Sequence, residues 1–285
     1  IVAMSEVLWS SKSQRDWNSF KERMDWHYSR LDAWNVDYGW EAVPIDLSCE
    51  AAAQTERIMV GLDRAIAGIG GDVFWETKGS QERISRAFDA PFEVTGEGAL
   101  VVELRRHDVA VGKPWRFPLA GHAGAFQPVE LDHALNTYYP GGGQQGLADG
   151  RLGSMDFRDG CWQATQGEDM GMTLSLSEEL HVDSLSMQFY LYQDAWIFVP
   201  DSVRFQWSLD GEHWKGDWSI QTQWNGADAF AQNETQGVVR IAVPVNSRAK
   251  YIRFEALNPG PCPLWHDAAS LASWLFLDEL VVHAN

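Results

Sequence analysis

The stretch Leu147-Ala-Asp-Gly-Arg-Leu-Gly-Ser-Met-Asp-Phe-Arg-Asp-Gly-Cys-Trp-Gln163 combines two Asp-Gly turns, a further aspartate between them, and a tryptophan near its end. Its glycines, at positions 150, 153 and 160, can adopt positive φ angles, so the backbone can curl tightly. A second segment, residues 273–282, has a strand pattern that includes Asp278 and Glu279. We expect the two segments to meet and to close a β-sandwich.

Composition excludes several classes of partner. The chain has 285 residues, a net charge of −18 and a pI of about 4.7. Nucleic acids and anionic membrane surfaces are bound by basic patches, so neither is an expected partner. No run of residues is long and apolar enough to span a membrane. The chain opens at Ile1 inside an apolar segment, which we interpret as a truncated start.

Two residue types give further bounds. The three cysteines are far apart and form no Cys-x-x-Cys motif, so a zinc site is unsupported and free buried thiols are expected. The fifteen tryptophans are an unusually large number. Tryptophan fills protein cores, and its flat ring also stacks on the apolar face of a sugar.

Residues 1–40 have a helical pattern with a broad aromatic stripe. Its members recur at helical spacing and are Trp17, Phe20, Met24, His27, Tyr28, Leu31 and Trp34. A helix with so apolar a face needs another body to pack against. The rest of the chain has strand patterns, so we expect that body to lie upstream.

The helical segment contains three motifs. They are Ala3-Met-Ser-Glu-Val-Leu-Trp-Ser, Arg15-Asp-Trp-Asn-Ser-Phe-Lys-Glu-Arg-Met and His27-Tyr-Ser-Arg-Leu-Asp-Ala-Trp-Asn-Val-Asp-Tyr. The set resembles the end of the catalytic barrel of family 20 glycoside hydrolases, the β-N-acetylhexosaminidases. Ser5 stands where that family usually has alanine, and Met24 where it usually has leucine. The resemblance implies that residues 1–40 are the last helical segment of a truncated TIM barrel.

Residues 41–131 are expected to form a second part of the chain. They begin with a linker that contains Pro44 and runs to residue 56, and from Arg57 the period changes to two, which is typical of strands. Candidate strands lie at residues 57–62, 72–77, 91–94, 99–106 and 115–119. Short strands separated by glycine turns predict a small β-sandwich. The order Val-Phe-Trp-Glu-Thr-Lys-Gly-Ser, then Phe-Asp-Ala-Pro-Phe, resembles the small domain that follows the barrel in chitobiase-like hexosaminidases. We find no chemistry in this part and expect a spacer or packing module.

Residues 132–285 form the longest coherent unit, and their pattern is of sandwich or jelly-roll type. Candidate strands lie at residues 172–176, 184–192, 202–208, 238–244, 251–256 and 274–283. The unit also contains the motifs Leu147-Ala-Asp-Gly, Gly153-Ser, Gly160-Cys-Trp, Trp196-Ile-Phe-Val-Pro, Ser208-Leu-Asp-Gly-Glu, Ala249-Lys-Tyr-Ile-Arg-Phe and Trp274-Leu-Phe-Leu-Asp-Glu-Leu. This set is similar to the discoidin, or coagulation factor 5/8 type C, domain, a galactose-binding-like fold that hexosaminidases often carry at the C-terminus.

A catalytic site is not expected in this chain. Family 20 enzymes use an adjacent Asp-Glu pair within His-x-Gly-Gly-Asp-Glu, and their mechanism is substrate-assisted. Asp278-Glu279 is the one such pair here and lacks that context. Because neighbouring strand residues point to opposite faces, this pair should not act together. We therefore predict that the chain alone is inactive.

A structural calcium site is predicted at the curled loop. Side-chain oxygens of Asp149, Ser154 and Glu279, with backbone carbonyls of Arg151 and its neighbours, would supply the hard ligands that Ca²⁺ binds. The alternative is that Asp149 only caps a turn and that Glu279 is solvated.

Sugar binding is predicted at aromatic side chains near loops. The candidates are Trp162, Trp196, Trp224, Trp265 and His266. Stacking against a ring, with polar groups at the rim, is the expected chemistry. The alternative for each tryptophan is core or interdomain packing, and for His266 a structural hydrogen bond.

These observations lead to one primary interpretation. The chain is expected to be mostly β and to be the accessory C-terminal region of a secreted or periplasmic β-N-acetylhexosaminidase. Its partners would be the upstream barrel and a glycan, such as an oligosaccharide that contains N-acetylhexosamine. The alternatives are a free-standing carbohydrate-binding or adhesion module and a purely structural β-sandwich.

Overall fold

The computed structural model describes residues 2–36, 38, 44–64, 69–85, 87–106, 109–221 and 235–284. It is mostly β, as the sequence predicts. The chain divides into two compact units: Ile1–Asp46, Arg64–Asp72 and Val102–Trp115 form the first, and Leu47–Asp63, Val73–Val101 and Arg116–Asn285 form the second. The domain boundaries predicted from the sequence stay predictions. None of the helices described is long and apolar enough to cross a membrane.

Two helices open the chain. Helix α1 spans Val2–Trp9, and helix α2 spans Trp17–Ala33, with a 3-10 turn at Lys12–Gln14 between them. Asp16 caps α2, because its side chain accepts a hydrogen bond from the Ser19 amide at 2.8 Å. Helix α2 buries Met24 and Tyr28 inside the first unit. Whether these helices belong to a catalytic barrel stays a prediction.

Seven strands form the first sheet. They are β1 Ile45–Ala51, β2 Arg57–Arg64, β3 Ile69–Thr77, β4 Ser80–Arg83, β5 Phe92–Arg106, β6 Val109–Ala110 and β7 Trp115–Gly121. The order is β1-β2-β5-β3-β4, and both β6 and β7 also pair with β5. In β2 the side chains of Ile58, Val60 and Leu62 are buried in alternation, as the period of two in the sequence predicts.

Eight strands form the second sheet system. They are β8 Val129–Leu131, β9 Gln163–Gln166, β10 Met170–Tyr192, β11 Ile197–Phe198, β12 Ser202–Ser208, β13 Lys215–Gln221, β14 Gln236–Leu257 and β15 Trp274–Ala284. The long antiparallel strands β10 and β14 run through both layers of a sandwich. The first half of β10 pairs with β8 and with the last half of β14, which pairs with β12. The second half of β10 pairs with β15.

The sandwich core lies between these two layers. It joins Met172, Phe205 and Phe254 from one layer to Met187 and Leu280 from the other. Register shifts in β10, between Ser175 and Leu180 and between Val182 and Ser184, mark where the long strands turn from one layer to the next. All three cysteines are free, as expected, and Cys262 is buried.

One end of the sandwich is built from three connecting segments. Residues 166–169 join β9 to β10, residues 193–201 surround β11, and residues 258–273 join β14 to β15. They are tied together: the Asn258 amide donates to Asp169 Oδ1 at 2.8 Å, and the Gly167 amide donates to the Ser273 carbonyl at 2.9 Å. We call residues 166–169, 193–201 and 258–273 the loop end.

Candidate functional site

The acidic pair near the C-terminus sits in a β-bulge. Met187 is paired with Leu280 and Phe189 with Leu277, so Asp278 and Glu279 together oppose the single residue Gln188. A bulge interrupts the alternation of side chains along a strand. The expectation that the two carboxylates serve opposite faces is therefore wrong. Both accept hydrogen bonds from the loop at residues 149–153, and both are fully buried.

Glu279 holds the curled loop against β15. Its Oε1 accepts a hydrogen bond from the Gly150 amide at 2.7 Å, and its Oε2 accepts one from the Asp149 amide at 3.1 Å. Asp278 Oδ2 accepts a further bond from the Gly153 amide at 2.7 Å. The expectation that residues 147–163 and the last strand meet is thus confirmed. Buried carboxylates that accept several amide hydrogen bonds are strongly held in place.

His122 completes the buried network, although no sequence motif pointed to it. Its Nδ1 accepts from the amides of Gly124 and Val282, each at 3.1 Å, so the proton of the neutral ring is on Nε2. Nε2 donates to Glu279 Oε1 at 2.7 Å. Complete burial lowers the pKa of His122 to about 3, which keeps the ring neutral.

Asp149 and Arg151 lie beside this network. Asp149 Oδ1 accepts from the Arg151 amide at 2.9 Å, which is the turn cap that the sequence left open as an alternative. Burial, and then the charge of Glu279, raise the pKa of Asp149 to about 7. Burial likewise raises the pKa of Glu279 to about 8. Two acidic groups therefore share a poorly solvated site.

The fourth predicted metal ligand is engaged elsewhere. The Ser154 amide donates to Asp159 Oδ2 at 2.6 Å, and Ser154 Oγ accepts from the Asp156 amide at 3.1 Å. Among the residues that the structure describes, no group of three or more His, Cys, Asp or Glu side chains is placed to hold a metal ion. Ca²⁺ takes about six to eight oxygen ligands. Backbone carbonyls would have to supply most of these ligands, and calcium binding at this loop stays a prediction of the sequence.

Trp162 is a core residue, which corrects its assignment as a sugar platform. Its side chain is 1% exposed, and its Nε1 donates to the Ser154 carbonyl at 3.0 Å. The ring packs edge-to-face on Tyr190, with centroids 5.1 Å apart. A Cβ atom added to Gly153 would lie 2.1 Å from Trp162 Cε2. Gly153 therefore makes room for the indole, and does not serve the positive φ that we expected.

His266 is a structural link at the loop end. Its Nδ1 accepts from the Ala268 amide at 3.0 Å, so Nε2 carries the proton and donates to the Gln193 carbonyl at 2.8 Å. Its ring packs edge-to-face on Phe198, with centroids 5.6 Å apart. The residue thus joins the segment 258–273 to the segment 193–201, which is the structural alternative that the sequence left open.

Trp196 adopts a left-handed backbone conformation, with φ of 63°. Its amide donates to the Gln193 carbonyl and its carbonyl accepts from the Trp274 amide, both at 2.8 Å. The side chain is partly buried against a small cluster of Phe198, Cys262 and Ala268. A bulky residue in this conformation is strained, and such strain persists where surrounding contacts fix it.

Trp265 alone among the described candidates presents a broad solvent-facing ring. It is 58% exposed, and the neighbouring Leu264 is 90% exposed. The indole packs edge-to-face on His266 and on Phe198, with centroids 5.8 and 6.5 Å apart. The structure therefore brings Trp196, Trp265 and His266 together at the loop end. Trp224 lies outside the described residues.

Further aromatic side chains border the loop end, and they are not among the candidates predicted from the sequence. Tyr139 packs edge-to-face on Trp274, with centroids 5.4 Å apart, and Tyr192 lies near Phe157. Tyr138 is 80% exposed. Trp274 and Phe276 are two residues apart and share one face of β15. This alternation of aromatic residues in the sequence could have predicted the aromatic cluster that Tyr139 and Tyr192 complete.

No protein-family model and no curated protein matches the sequence. Among solved structures, the chain is similar to CBM32-3 from a family 31 glycoside hydrolase from Clostridium perfringens. The identity is 17%, the match covers 55% of this chain and 91% of that chain, and the TM-score is 0.33. It is also similar to CpGH89CBM32-5 from Clostridium perfringens in complex with GalNAc-beta-1,3-galactose, with 14% identity, 55% and 95% covered, and a TM-score of 0.35.

A third similar structure is the C-terminal domain of a chitobiase from Bacteroides fragilis. The identity is 14%, the covered shares are 55% of this chain and 93% of that chain, and the TM-score is 0.31. Likenesses with TM-scores this low carry no functional argument.

Proposed function

We propose that the protein binds carbohydrate at the loop end, with Trp265 as the stacking platform. The observation that carries the proposal is the exposure of this side chain, which is 58% exposed while its ring packs against those of Phe198 and His266. An exposed indole offers a flat apolar surface to the C–H face of a sugar ring. The contacts with Phe198 and His266 restrict its rotamers, so less conformational entropy is lost when a ligand binds.

The loop that carries Trp265 is held in shape by its own hydrogen bonds. The Cys262 amide donates to the Leu271 carbonyl at 2.8 Å, and Ser273 Oγ donates to the Gly260 carbonyl at 2.6 Å. The bond from His266 to the Gln193 carbonyl anchors the loop tip. These contacts support a preformed binding surface and not a loop that must fold around its ligand.

Two further assignments belong to this proposal. The expected ligand is a glycan that contains N-acetylhexosamine, and the expected location is secreted or periplasmic, both on the strength of the sequence resemblance. A glycan array probed with the whole chain tests the ligand. Binding that Trp265→Ala removes supports the proposal, and an array on which the wild-type chain binds no glycan contradicts it.

A second candidate function is that of an accessory region in a β-N-acetylhexosaminidase. The observation that favours it is the exposed apolar face of helix α1, where Met4, Val7 and Leu8 are neighbours at helical spacing and are 47–72% exposed. Exposed apolar patches of this kind commonly mark an interaction surface. A catalytic barrel in the same polypeptide would cover it. A His-x-Gly-Gly-Asp-Glu motif encoded upstream of Ile1 supports this candidate, and an upstream sequence without one contradicts it.

A further inference from the structure

The segments that form the loop end carry acidic side chains but no lysine or arginine. Residues 193–201 and 258–273, which form most of the loop end, include Asp194, Asp201 and Asp267 but no lysine or arginine. The connecting segment at residues 166–169 adds Glu168 and Asp169. A surface that carries only negative charges creates an electric field that attracts cationic ligands and repels anionic ones as they approach.

Two of these aspartates adjoin the hydrogen bond that anchors the Trp265 loop. His266 Nε2 donates to the Gln193 carbonyl at 2.8 Å. Asp267 directly follows His266, and Asp194 directly follows Gln193, so this bond brings the two aspartate-bearing segments together. Both aspartates are exposed. In the described part of the chain, neither forms an ion pair. Trp265 is therefore two residues from one exposed aspartate, and its neighbour His266 is bonded to the residue that precedes the other.

We propose that Asp194 and Asp267 make the Trp265 surface selective for uncharged and amine-bearing glycans, and against glycans that carry carboxylate or sulfate groups. This inference rests on the proposed function. Carboxylates accept hydrogen bonds from sugar hydroxyls, so a neutral ring stacked on Trp265 gains polar contacts at its edge. A protonated amino sugar gains attraction to the carboxylates and to the indole face. An anionic sugar meets repulsion from both aspartates.

The test measures the affinity of the whole chain for three probes of equal length by isothermal titration calorimetry. The probes are a neutral trimer of N-acetylglucosamine, a cationic trimer of glucosamine and an anionic trimer of galacturonate. We expect the affinity for the anionic trimer to be at least about tenfold lower than that for the neutral trimer at low salt. The difference should shrink at about 1 M salt, where the screening length is about 3 Å.

Charge-neutral variants locate the effect. Asp194→Asn with Asp267→Asn should bring the affinities of the neutral and anionic trimers to within about threefold. The matched control is Glu178→Gln with Glu212→Gln, which removes the same net charge at exposed positions, one within β10 and one in the turn after β12. The control should leave the selectivity unchanged, because it alters the net charge and not the charge at the loop end.

Three outcomes overturn the inference. Equal binding of the neutral and anionic trimers by the wild-type chain shows that the surface does not select by charge. A control variant that loses selectivity as much as the aspartate variant assigns the effect to net charge. If the chain binds a neutral glycan, either result leaves the proposed function standing. If the chain binds none of the three trimers and no glycan on the array, the proposed function fails and the inference fails with it.

Discussion

The carboxylate of Glu279 accepts a hydrogen bond from the amide of Gly150 at 2.7 Å, across 129 residues of sequence. The same carboxylate receives the Asp149 amide and the imidazole of His122, so three donors converge on one buried side chain. This arrangement ties the curled loop to the last strand.

Removing this carboxylate should destabilise the second unit strongly. Glu279→Ala leaves the amides of Asp149 and Gly150 and the ring of His122 buried without their acceptor. Each unsatisfied buried donor costs about 1–3 kcal/mol, so we expect a loss of about 3–5 kcal/mol in the free energy of unfolding. Urea unfolding measures the loss. The control is Glu212→Ala at an exposed turn, which should cost less than about 0.5 kcal/mol, and a similar loss in both variants would refute the account.

The same network predicts how the protein responds to a chelator. Because the Glu279 carboxylate already accepts hydrogen bonds from the amides of Asp149 and Gly150 and from His122, we expect EDTA to leave the melting temperature within about 1 °C of its value in millimolar calcium. The sequence-based prediction of a structural calcium site requires the opposite result. An ion present at 100 times its Kd would add about 2.7 kcal/mol to stability, which a thermal scan readily detects.

Gly153→Ala should be poorly tolerated. The added Cβ would lie 2.1 Å from Trp162 Cε2 and 2.4 Å from Cζ2, and the buried indole has no free space into which to move. Overpacking of this kind costs about 1–3 kcal/mol or more. The matched control is Gly237→Ala in β14, where an added Cβ meets nothing within 4 Å. If chemical denaturation finds equal effects for the two substitutions, the packing of Trp162 differs from the one described.

Stability should also depend on the protonation of His283. Its Nε2 lies 3.4 Å from Glu97 Oε1, and the hydrogen bond with Glu97 raises the pKa of His283. A raised folded-state pKa gives stability that is fully present below the unfolded-state pKa of about 6.5 and is lost as the pH rises through the folded-state value. Because the histidine is 40% exposed, we expect a contribution of about 0.5–1 kcal/mol.

This contribution can be isolated with two variants. The difference in free energy of unfolding between the wild-type chain and His283→Gln should be larger at about pH 5.5 than at about pH 8.5. Glu97→Gln should reduce that pH dependence, because it removes the partner charge. A stability difference that grows with rising pH would have the wrong sign for this ion pair.

The sequence pattern predicted the strands better than their connections. Residues 172–176 and 184–192 were predicted as two strands, but they belong to one strand, Met170–Tyr192. The register shifts around Leu180 and Ser184 interrupt the alternation of buried and exposed side chains, so the sequence pattern predicts two short strands. The bulge at Asp278 and Glu279 was missed for a related reason, since the extra residue is defined only by the pairing of β15 with β10.

The candidate site was predicted only in part, because exposure is a tertiary property. Trp162 and Trp265 both follow loop-like sequence, yet one is 1% exposed and the other 58%. What separates them is the packing of Gly153 beneath one indole and the anchoring of a loop by His266 beside the other. Neither contact has a local sequence signature. The buried His122 is a further example, because its partners lie far along the chain.

Glycan affinity of a Trp265 variant tests the central claim most directly. Calorimetric titration of a neutral N-acetylhexosamine oligosaccharide should show that Trp265→Ala loses at least about tenfold in affinity, or about 1.4 kcal/mol. The matched control is Trp26→Ala, which removes an indole of similar exposure, 61%, from helix α2. The account predicts that this control binds like the wild-type chain. Equal affinities of Trp265→Ala and the wild-type chain would contradict it.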